Sequence, residues 1–539
     1  MRVLLQNIIL PFWVEDEEIL ASAVDKMRRS GLDPRTLHFR LYKKSWDARK
    51  RNQIKVVCSV LVELPDTLGA QPSVQKALLK AGAVSVNEAP LSIAFGKDKM
   101  YGRPMVVGMG PAGLFCALLL AENGYAPILI DRGESVENRV ADVNAFYQNG
   151  VLDADSNIQF GAGGAGTFSD GKLITRINDE KCNYVLTRLH EFGAPDEILT
   201  KAKPHIGTDR LRGVVKAILT RIEQLGGRVL YRCRMEHYQR NTDGGLSVKT
   251  SQGDFSCGTM VLAIGHSARD TVQTLVMQKE TIIPKPFSVG VRIEHRKEDI
   301  DRALYGSFAG HPKLGAGEYN LSDTKSGRGV YTFCMCPGGE VVAAASEAGG
   351  VVVNGMSCFA RDGVNSNAAI AVSVRCEDYG CSVEKAIQFQ RSLEQAAFRA
   401  GGNNYHAPVQ TVGDFTEGRL TTEPKRILPS YMGGNRYQLA RIDTLLPPFV
   451  TEELRRGIAS FGRRIEGFDA PDAVLTGVET RTSSPIRILR NADTLNSVAS
   501  DLVYPCGEGA GYAGGITSAA VDGIGTALAI MRRYAPCVD

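Results

Sequence analysis

The residues best suited to chemistry in this 539-residue chain sit in its glycine runs. Gly108-Met109-Gly110-Pro111-Ala112-Gly113 has the spacing G-x-G-x-x-G. It follows an apolar strand predicted over 105–107 and opens a helix predicted over 114–123. A second predicted strand, 128–130, ends on Asp131, 18 residues past Gly113. This is the βαβ arrangement that holds a dinucleotide. Gly108 permits the tight turn, Gly110 lets a pyrophosphate approach the backbone, and Gly113 lets helix and strand pack closely. The unpaired N–H groups at the helix start attract phosphate. Asp131 is placed to accept hydrogen bonds from an adenosine ribose.

Three further features favour FAD over NAD. A run of strands ends in VLAIGHS, a second glycine turn after a buried strand, like the Ala-Thr-Gly turn of flavoproteins. The fingerprint lies early in the chain, while its matching glycine run, CGEGAGYAGGITSAAVDGIGTALA, lies near the far end. That run joins a strand to a helix. Glu508 stands where an acidic residue commonly binds the ribityl chain. Gly514, Gly515 and Ile516 begin the helix, whose N-terminal dipole favours negative charge on a reduced flavin ring. A third glycine segment, 161–173 (GAGGAGTFSDGKL), has five glycines in 13 residues, which suits a ligand cradle beside the isoalloxazine. Ser169, Asp170 and Lys172 add polar groups to it.

Other reactive side chains give weaker signals. Cys334 and Cys336 form C-x-C, not the C-x-x-C of a thiol–disulfide reductase, so they and Cys506 read as small buried thiols. No second Cys pair or His pair sits at ligand spacing, so no metal is expected. His266, in the VLAIGHS turn, is the best functional histidine; His205 and His406 read as satisfied hydrogen-bonding groups. Arg481 and Arg487 flank TSSP, where a guanidinium would stabilise an anionic substrate or flavin N1. The catalytic candidates are therefore His266, Arg481 and Cys336. No Ser–His–Asp set or P-loop is present.

The elements that must position these groups fall into four stretches. Residues 1–98 read β-α-β-β-α-β, the order of a ferredoxin-like unit. Residues 99–279 carry the first part of a Rossmann-like FAD-binding domain. It includes Arg228–Tyr238, Leu246–Ser251 and Asp254–Ile264, read as a three-stranded antiparallel meander running into a buried strand. Residues 280–480 form an inserted α+β substrate domain without a second dinucleotide fingerprint, and 481–539 complete the FAD-binding domain. The fold class is α/β. Glycine, 57 of 539 residues, exceeds the usual share of about 7 % and clusters without period. Net charge is +4, which gives no reason for nucleic-acid binding by the whole chain. The basic stretch KKSWDARKRNQIK reads first as a hairpin tip or inter-domain contact, second as an RNA or phosphate patch. The opening MRVLLQNIILPFWVEDEE is a poor signal peptide, and no apolar run is long enough to span a membrane. With 12 scattered cysteines, a reducing, cytoplasmic setting is expected.

The chain resembles the bacterial FAD-dependent dehydrogenases, often labelled NAD(FAD)-utilising, of the glutathione-reductase-like superfamily. The likeness runs over nearly the full length. It rests on VVGMGPAGLFCA, DRGESVENRVADVNAFYQNG, SNIQFGAGGAGTFSDGKLITR, VLAIGHSARDT, CMCPGGEVV, RDGVNSNAA, GVETRTSSPIRI and YPCGEGAGYAGGITSAAVDG. Ala162 stands where the family more often carries glutamate. The resemblance implies a three-layer ββα FAD-binding domain. With the turns above it implies cofactor contacts from Pro111, Ala112, Asp131, Arg132 and Arg139, and from Gly163, Gly164, Ala165, Gly166 and Thr167. Ser169, Gly171, Lys172 and Leu173 extend that set, as do Ala263, Gly265, His266, Gly507 and Glu508. The implied activity is hydride transfer through flavin N5 to or from a small molecule, with NAD(P)H as a transient reductant. Two rival readings are a flavoprotein acting on RNA through the basic hairpin and a protein whose FAD is purely structural.

Overall fold

A computed structural model describes residues 1–86 and 90–536. Residues 87–89 of the N-terminal stretch and 537–539 at the C-terminal end, including Cys537, lie outside the described residues.

The first unit is a four-stranded antiparallel sheet in the order His38–Asp47, Lys55–Glu63, Arg2–Pro11, Ala83–Ser85. Alternating Val3, Leu5, Val60 and Val62 face the helices Asp16–Arg29 and Pro72–Lys80 and close a small core with Ile19, Met27 and Leu78. The first helix starts at a capping box between Glu15 and Glu18. The basic hairpin tip is docked on the rest of the chain. Phe12, Ile54 and Trp46 pack against Tyr305, Leu314 and Phe308. The Lys44 N–H donates to the Thr200 carbonyl (2.8 Å), and the Ala202 N–H donates to the Lys44 carbonyl (2.9 Å). Three tip cations are paired: Lys44 with Asp16, Arg49 with Asp47, and Arg51 with Glu466.

A five-stranded parallel sheet lies at the centre of the next region. Its order is Val503–Pro505, Thr259–Leu262, Pro104–Val107, Ile128–Ile130, Arg228–Leu230. Such short strands, apolar on both faces, belong in a covered sheet. Val106, Leu129 and Val261 face a helical layer made of Pro111–Glu122, Thr208–Gln224 and the terminal helix Ile516–Arg533. Met105, Val107, Ile130, Met260 and Leu262 face the other way, onto the antiparallel meander Met235–Arg240, Leu246–Thr250, Gly253–Cys257. Three layers result.

Two expected strands are each divided. The stretch 228–238 breaks at Tyr231–Arg234, where Arg232 adopts φ +53° and its guanidinium binds Glu134, Asp142 and Asp153. The stretch 254–264 breaks at Gly258, wedged against Met100 and the Gly102 carbonyl. In both cases one half joins the parallel sheet and the other joins the meander. A continuous apolar alternation cannot reveal that change of partner.

Residues between Phe287 and Glu479 build a seven-stranded mixed sheet around the largest core. Its order is Ser322–Asp323, Val330–Cys336, Asn365–Val374, Phe287–Arg296, Val474–Glu479, Ala407–Thr411, Tyr437–Leu439. The central pair, 287–296 with 365–374, keeps an unbroken ten-residue register. No helix among the described residues is long and apolar enough to cross a membrane.

Candidate functional site

The first glycine turn is forced by packing. Gly108 has φ +107°, and a Cβ there would lie closer than 3.0 Å to the Ala263 carbonyl. Its N–H donates to Ile130 (2.7 Å), which ties the turn to the neighbouring strand. A Cβ on Gly113 would collide with the Gly108 carbonyl, so the helix starts directly over the turn. Gly110 differs: a Cβ there would meet nothing within 4 Å. It caps the helix without any side-chain bond, and Pro111 at the first position has no N–H to satisfy. The backbone therefore faces open space with free helix-start amides.

Two distant segments border the same space. The place a Cβ would take on Gly164 is 2.8 Å from Gly110 Cα. On Gly166 it is 3.2 Å from Ile516 Cγ1 and 3.9 Å from Pro111 Cγ. Gly163 N–H donates to the Met109 carbonyl (2.9 Å), and Thr517 Oγ1 donates to the Leu173 carbonyl (2.7 Å). The terminal helix begins at Gly515, again without a side-chain cap, and no atom lies within 4 Å of a Cβ on Gly514 or Gly515. Gly265 is equally open, and the Gly265 turn touches Gly509. The Gly507 N–H is held by Asp522 Oδ2 (2.7 Å), itself fixed by Arg490. Two uncapped helix starts and a glycine-lined gap form a cradle that suits a long anionic dinucleotide.

Several expected contacts are taken up inside the protein. Asp131 Oδ2 accepts from the Met109 N–H (2.8 Å), and Oδ1 accepts from Gly133 (2.8 Å) and Gly161 (2.9 Å). Its carboxylate locks the turn and the 161–173 segment together, in addition to whatever a ribose would ask of it. Arg139 is fully buried and commits four of its five N–H donors to the carbonyls of Asn157, Ile158, Gly161 and Ala162. Arg132 pairs with Asp270 and stacks on Phe160 at 4.4 Å. Thr167 bonds the Ala162 carbonyl, and it and Leu173 are buried. Ser169 Oγ donates to Gly166 and accepts from Gly171 N–H. Ala112 and Ala263 are buried packing positions; Ala165 is half-buried beside Gly166. Arg487 donates to the Gly511 carbonyl (3.1 Å).

The catalytic candidates divide. His266 Nδ1 lies 3.6 Å from Glu508 Oε1, and its Nε2 is buried without a partner among the described residues. Burial, with Arg481 and Arg269 nearby, pushes its pKa down to about 3, so the ring is neutral. Burial raises Glu508 to about 7 against the charge of Lys285. Arg481 has its guanidinium enclosed, bound to Glu394 (3.0 Å) and Ser346 (2.5 Å). Arg481, Glu394 and Arg269 form a buried ion cluster by the His266 turn, which the half-exposed Glu347 and Arg391 extend outward. Cys336 is fully buried beside Arg292.

Sequence reasoning missed this network and a second cluster. Lys172 Nζ lies 2.6 Å from Asp170, and Arg361 binds both Asp170 (2.5 Å) and Glu318 (2.5 Å). Burial alone would raise Asp170, but the charges of Lys172 and Arg361 outweigh it and hold the carboxyl at about 2. The only local signal was the pair Asp170 and Lys172; Arg361 comes from 191 residues away. Among the described residues no group of three or more His, Cys, Asp or Glu is arranged to hold a metal ion.

The family model for FAD-dependent protein, C-terminal domain-like, matches residues 286–482. An uncharacterized protein of Clostridium beijerinckii is 47% identical over 498 residues, 92% of each chain. Among solved structures, the chain is similar to FqzB at 13% identity, covering 81% of this chain and 78% of that one, TM-score 0.34. It is similar to CtdE in complex with FAD at 11% identity, covering 80% and 84%, TM-score 0.31. A ternary complex of aklavinone-11 hydroxylase with FAD and aklavinone gives 14% identity, 80% and 62% coverage, TM-score 0.33. The chain belongs to one family with the clostridial protein, carries the C-terminal domain of the FAD-dependent proteins, and takes FAD as its cofactor.

Proposed function

We propose that the protein is an FAD-dependent oxidoreductase, built like the glutathione-reductase-like dehydrogenases, that moves a hydride to or from a small molecule. The observation that carries this reading is the meeting of Gly110–Pro111, Gly164–Gly166 and Gly515–Ile516 around one glycine-lined gap. FAD supplies the two-electron chemistry at N5. The chain supplies the rest. The amides after Gly110 hold the pyrophosphate. The start of the terminal helix favours negative charge near the ring. The orphaned Nε2 of His266 is free to hydrogen-bond a ligand, and Glu508 is poised to hold a proton near neutral pH. Lys172 brings a cation to the end of the 161–173 segment.

In this reading 280–480 shapes the substrate pocket, NAD(P)H approaches only transiently, and the setting is cytoplasmic. The N-terminal unit, ferredoxin-like in its strand order, is a docked appendage. The RNA alternative is disfavoured because Lys44, Arg49 and Arg51 of the basic tip are ion-paired. An absorbance scan of the purified protein, followed by anaerobic titration with NADPH or dithionite, tests the proposal. A flavin spectrum that bleaches supports it. A colourless protein that rejects added FAD overturns it, and a bound flavin that no reductant bleaches leaves FAD structural.

A further inference from the structure

The C-x-C pair is not an ordinary stretch of strand. Val330–Cys336 pairs with Asn365–Val374 in regular register from Val330↔Val372 to Phe333↔Ala369. The next pair is Cys336↔Asn367, so one extra residue is inserted at Cys334–Met335. Cys334 takes φ +45° to make this bulge. At this bulge the Cys336 thiol donates to the Cys334 carbonyl (3.3 Å), and the two cysteine side chains interact. Cys336 is fully buried, whereas Cys334 is only half-buried.

The surroundings favour a thiolate on the accessible member. Arg292, fully buried, donates to the Cys334 carbonyl (2.9 Å) and lies 4.0 Å from Cys336 Sγ. Lys172 and Asp170 face Cys334 from the 161–173 segment, Glu508 from the terminal glycine run, and Glu479 from beside Arg292. The neighbouring Cys336 side chain is the largest influence on Cys334. With the charges of Arg292 and Lys172 it outweighs burial and Asp170, and holds the Cys334 thiol below the ordinary cysteine range. Cys257, simply buried, is instead pushed up to about 12. A bond between residues two apart closes almost no loop, so it adds little to stability. The bulge and the buried cation call for another reason.

We propose that Cys334 and Cys336 are a thiol–disulfide redox pair, Cys334 attacking and Cys336 resolving, that acts on low-molecular-weight disulfides. The half-buried position of Cys334 admits a small disulfide rather than a folded protein. Cys334 thiolate attacks one sulfur of the small disulfide; that S–S bond breaks, and the first small thiolate leaves and takes a proton. Cys336 then loses its proton and attacks Cys334 sulfur; the mixed S–S bond breaks and the second small thiolate leaves with that proton. The protein pair is oxidised by two electrons and the small disulfide is reduced to two thiols. This does not depend on the flavin reading.

The test treats the reduced, purified protein with excess oxidised glutathione, quenches in acid, alkylates, and sequences the tryptic peptide from Gly329 to Arg361 by mass spectrometry. The expected result is a peptide lighter by two hydrogens, linked Cys334–Cys336, with Cys358 alkylated. Cys336→Ser is expected to stop at a glutathione adduct on Cys334. At pH 6, Cys334 is expected to alkylate about ten-fold faster than Cys358, its thiolate fraction outweighing its lower nucleophilicity. Full alkylation of both Cys334 and Cys336 after glutathione treatment, or an adduct confined to Cys358, overturns the proposal. The same disulfide is expected after the flavin is stripped, so a colourless preparation would sink the oxidoreductase reading and leave this one standing.

Discussion

Thr517, at the start of the last helix, donates its hydroxyl to the carbonyl of Leu173 at 2.7 Å, across 344 residues of chain. The bond fastens the terminal helix to the glycine-rich 161–173 segment. That segment is in turn fastened to the first turn through Gly163 N–H and the Met109 carbonyl. The cradle is thus assembled from three remote pieces, and its geometry depends on each fastening.

Thr517→Val keeps the shape and removes that donor, leaving the Leu173 carbonyl buried and unpaired. We expect a stability loss of about 1–2 kcal/mol and FAD that dissociates several-fold faster. Thermal denaturation and flavin-release fluorescence measure the two. A variant that melts like the parent and keeps its flavin would show that the fastening is incidental.

Gly108 and Gly110 belong to one motif yet should respond differently to alanine. At Gly108 the methyl would collide with the Ala263 carbonyl at a positive φ, so Gly108→Ala should lose roughly 2–4 kcal/mol of stability. At Gly110, φ −72° suits alanine and the methyl points into open space. Gly110→Ala should fold with nearly unchanged melting but bind FAD about ten-fold or more weakly, ~1.4 kcal/mol. Denaturation curves and FAD titration of both variants separate the roles. Equal effects on folding and binding in the two would contradict the assignment of Gly110 to the ligand side.

What the sequence discloses is what is local. The strand, turn and helix of 104–122 and the strand ending at Ile130 follow from glycine spacing and apolar runs within thirty residues. The division of 228–238 between two sheets does not, because both halves alternate equally well. Arg139 shows the same limit for the site. Its neighbourhood marks it as near a cofactor, but only the fold reveals that its guanidinium is closed over by carbonyls. Asp170 and Arg361 are far apart in the chain, and no spacing rule connects them. Gly166 and Ile516, 350 residues apart, also meet, and although each glycine run signals close backbone approach by itself, no local spacing says which run approaches which.

Glu394 is enclosed between Arg269 and Arg481, with Oε1 2.7 Å from Arg269 and Oε2 3.0 Å from Arg481. Glu394→Ala would leave two guanidinium groups in a closed site with one carboxylate, Glu347, to answer them. The cost should be about 3–5 kcal/mol, that of breaking a buried pair. Because the network lies by the His266 turn, flavin binding should weaken as well. Urea denaturation measures the first effect. A loss below about 1 kcal/mol would mean that water already screens the site.

Acid should loosen the cluster around Asp170 in a defined window. Its folded pKa, about 2, lies below the ordinary 3.8 because Lys172 and Arg361 hold the charge. A group depressed in the fold contributes its full stability above the unfolded pKa. That contribution fades as pH falls from about 4 towards 2, where the folded carboxyl also protonates. The amount is on the order of 2 kcal/mol. Urea midpoints taken from pH 5 down to about pH 2.5 should therefore drop more steeply in the parent than in Asp170→Asn, which has nothing to protonate there. The variant itself should be less stable at pH 7, since Lys172 and Arg361 then share only Glu318. Parallel acid profiles for the two proteins would show that other carboxylates, and not Asp170, set the acid limit.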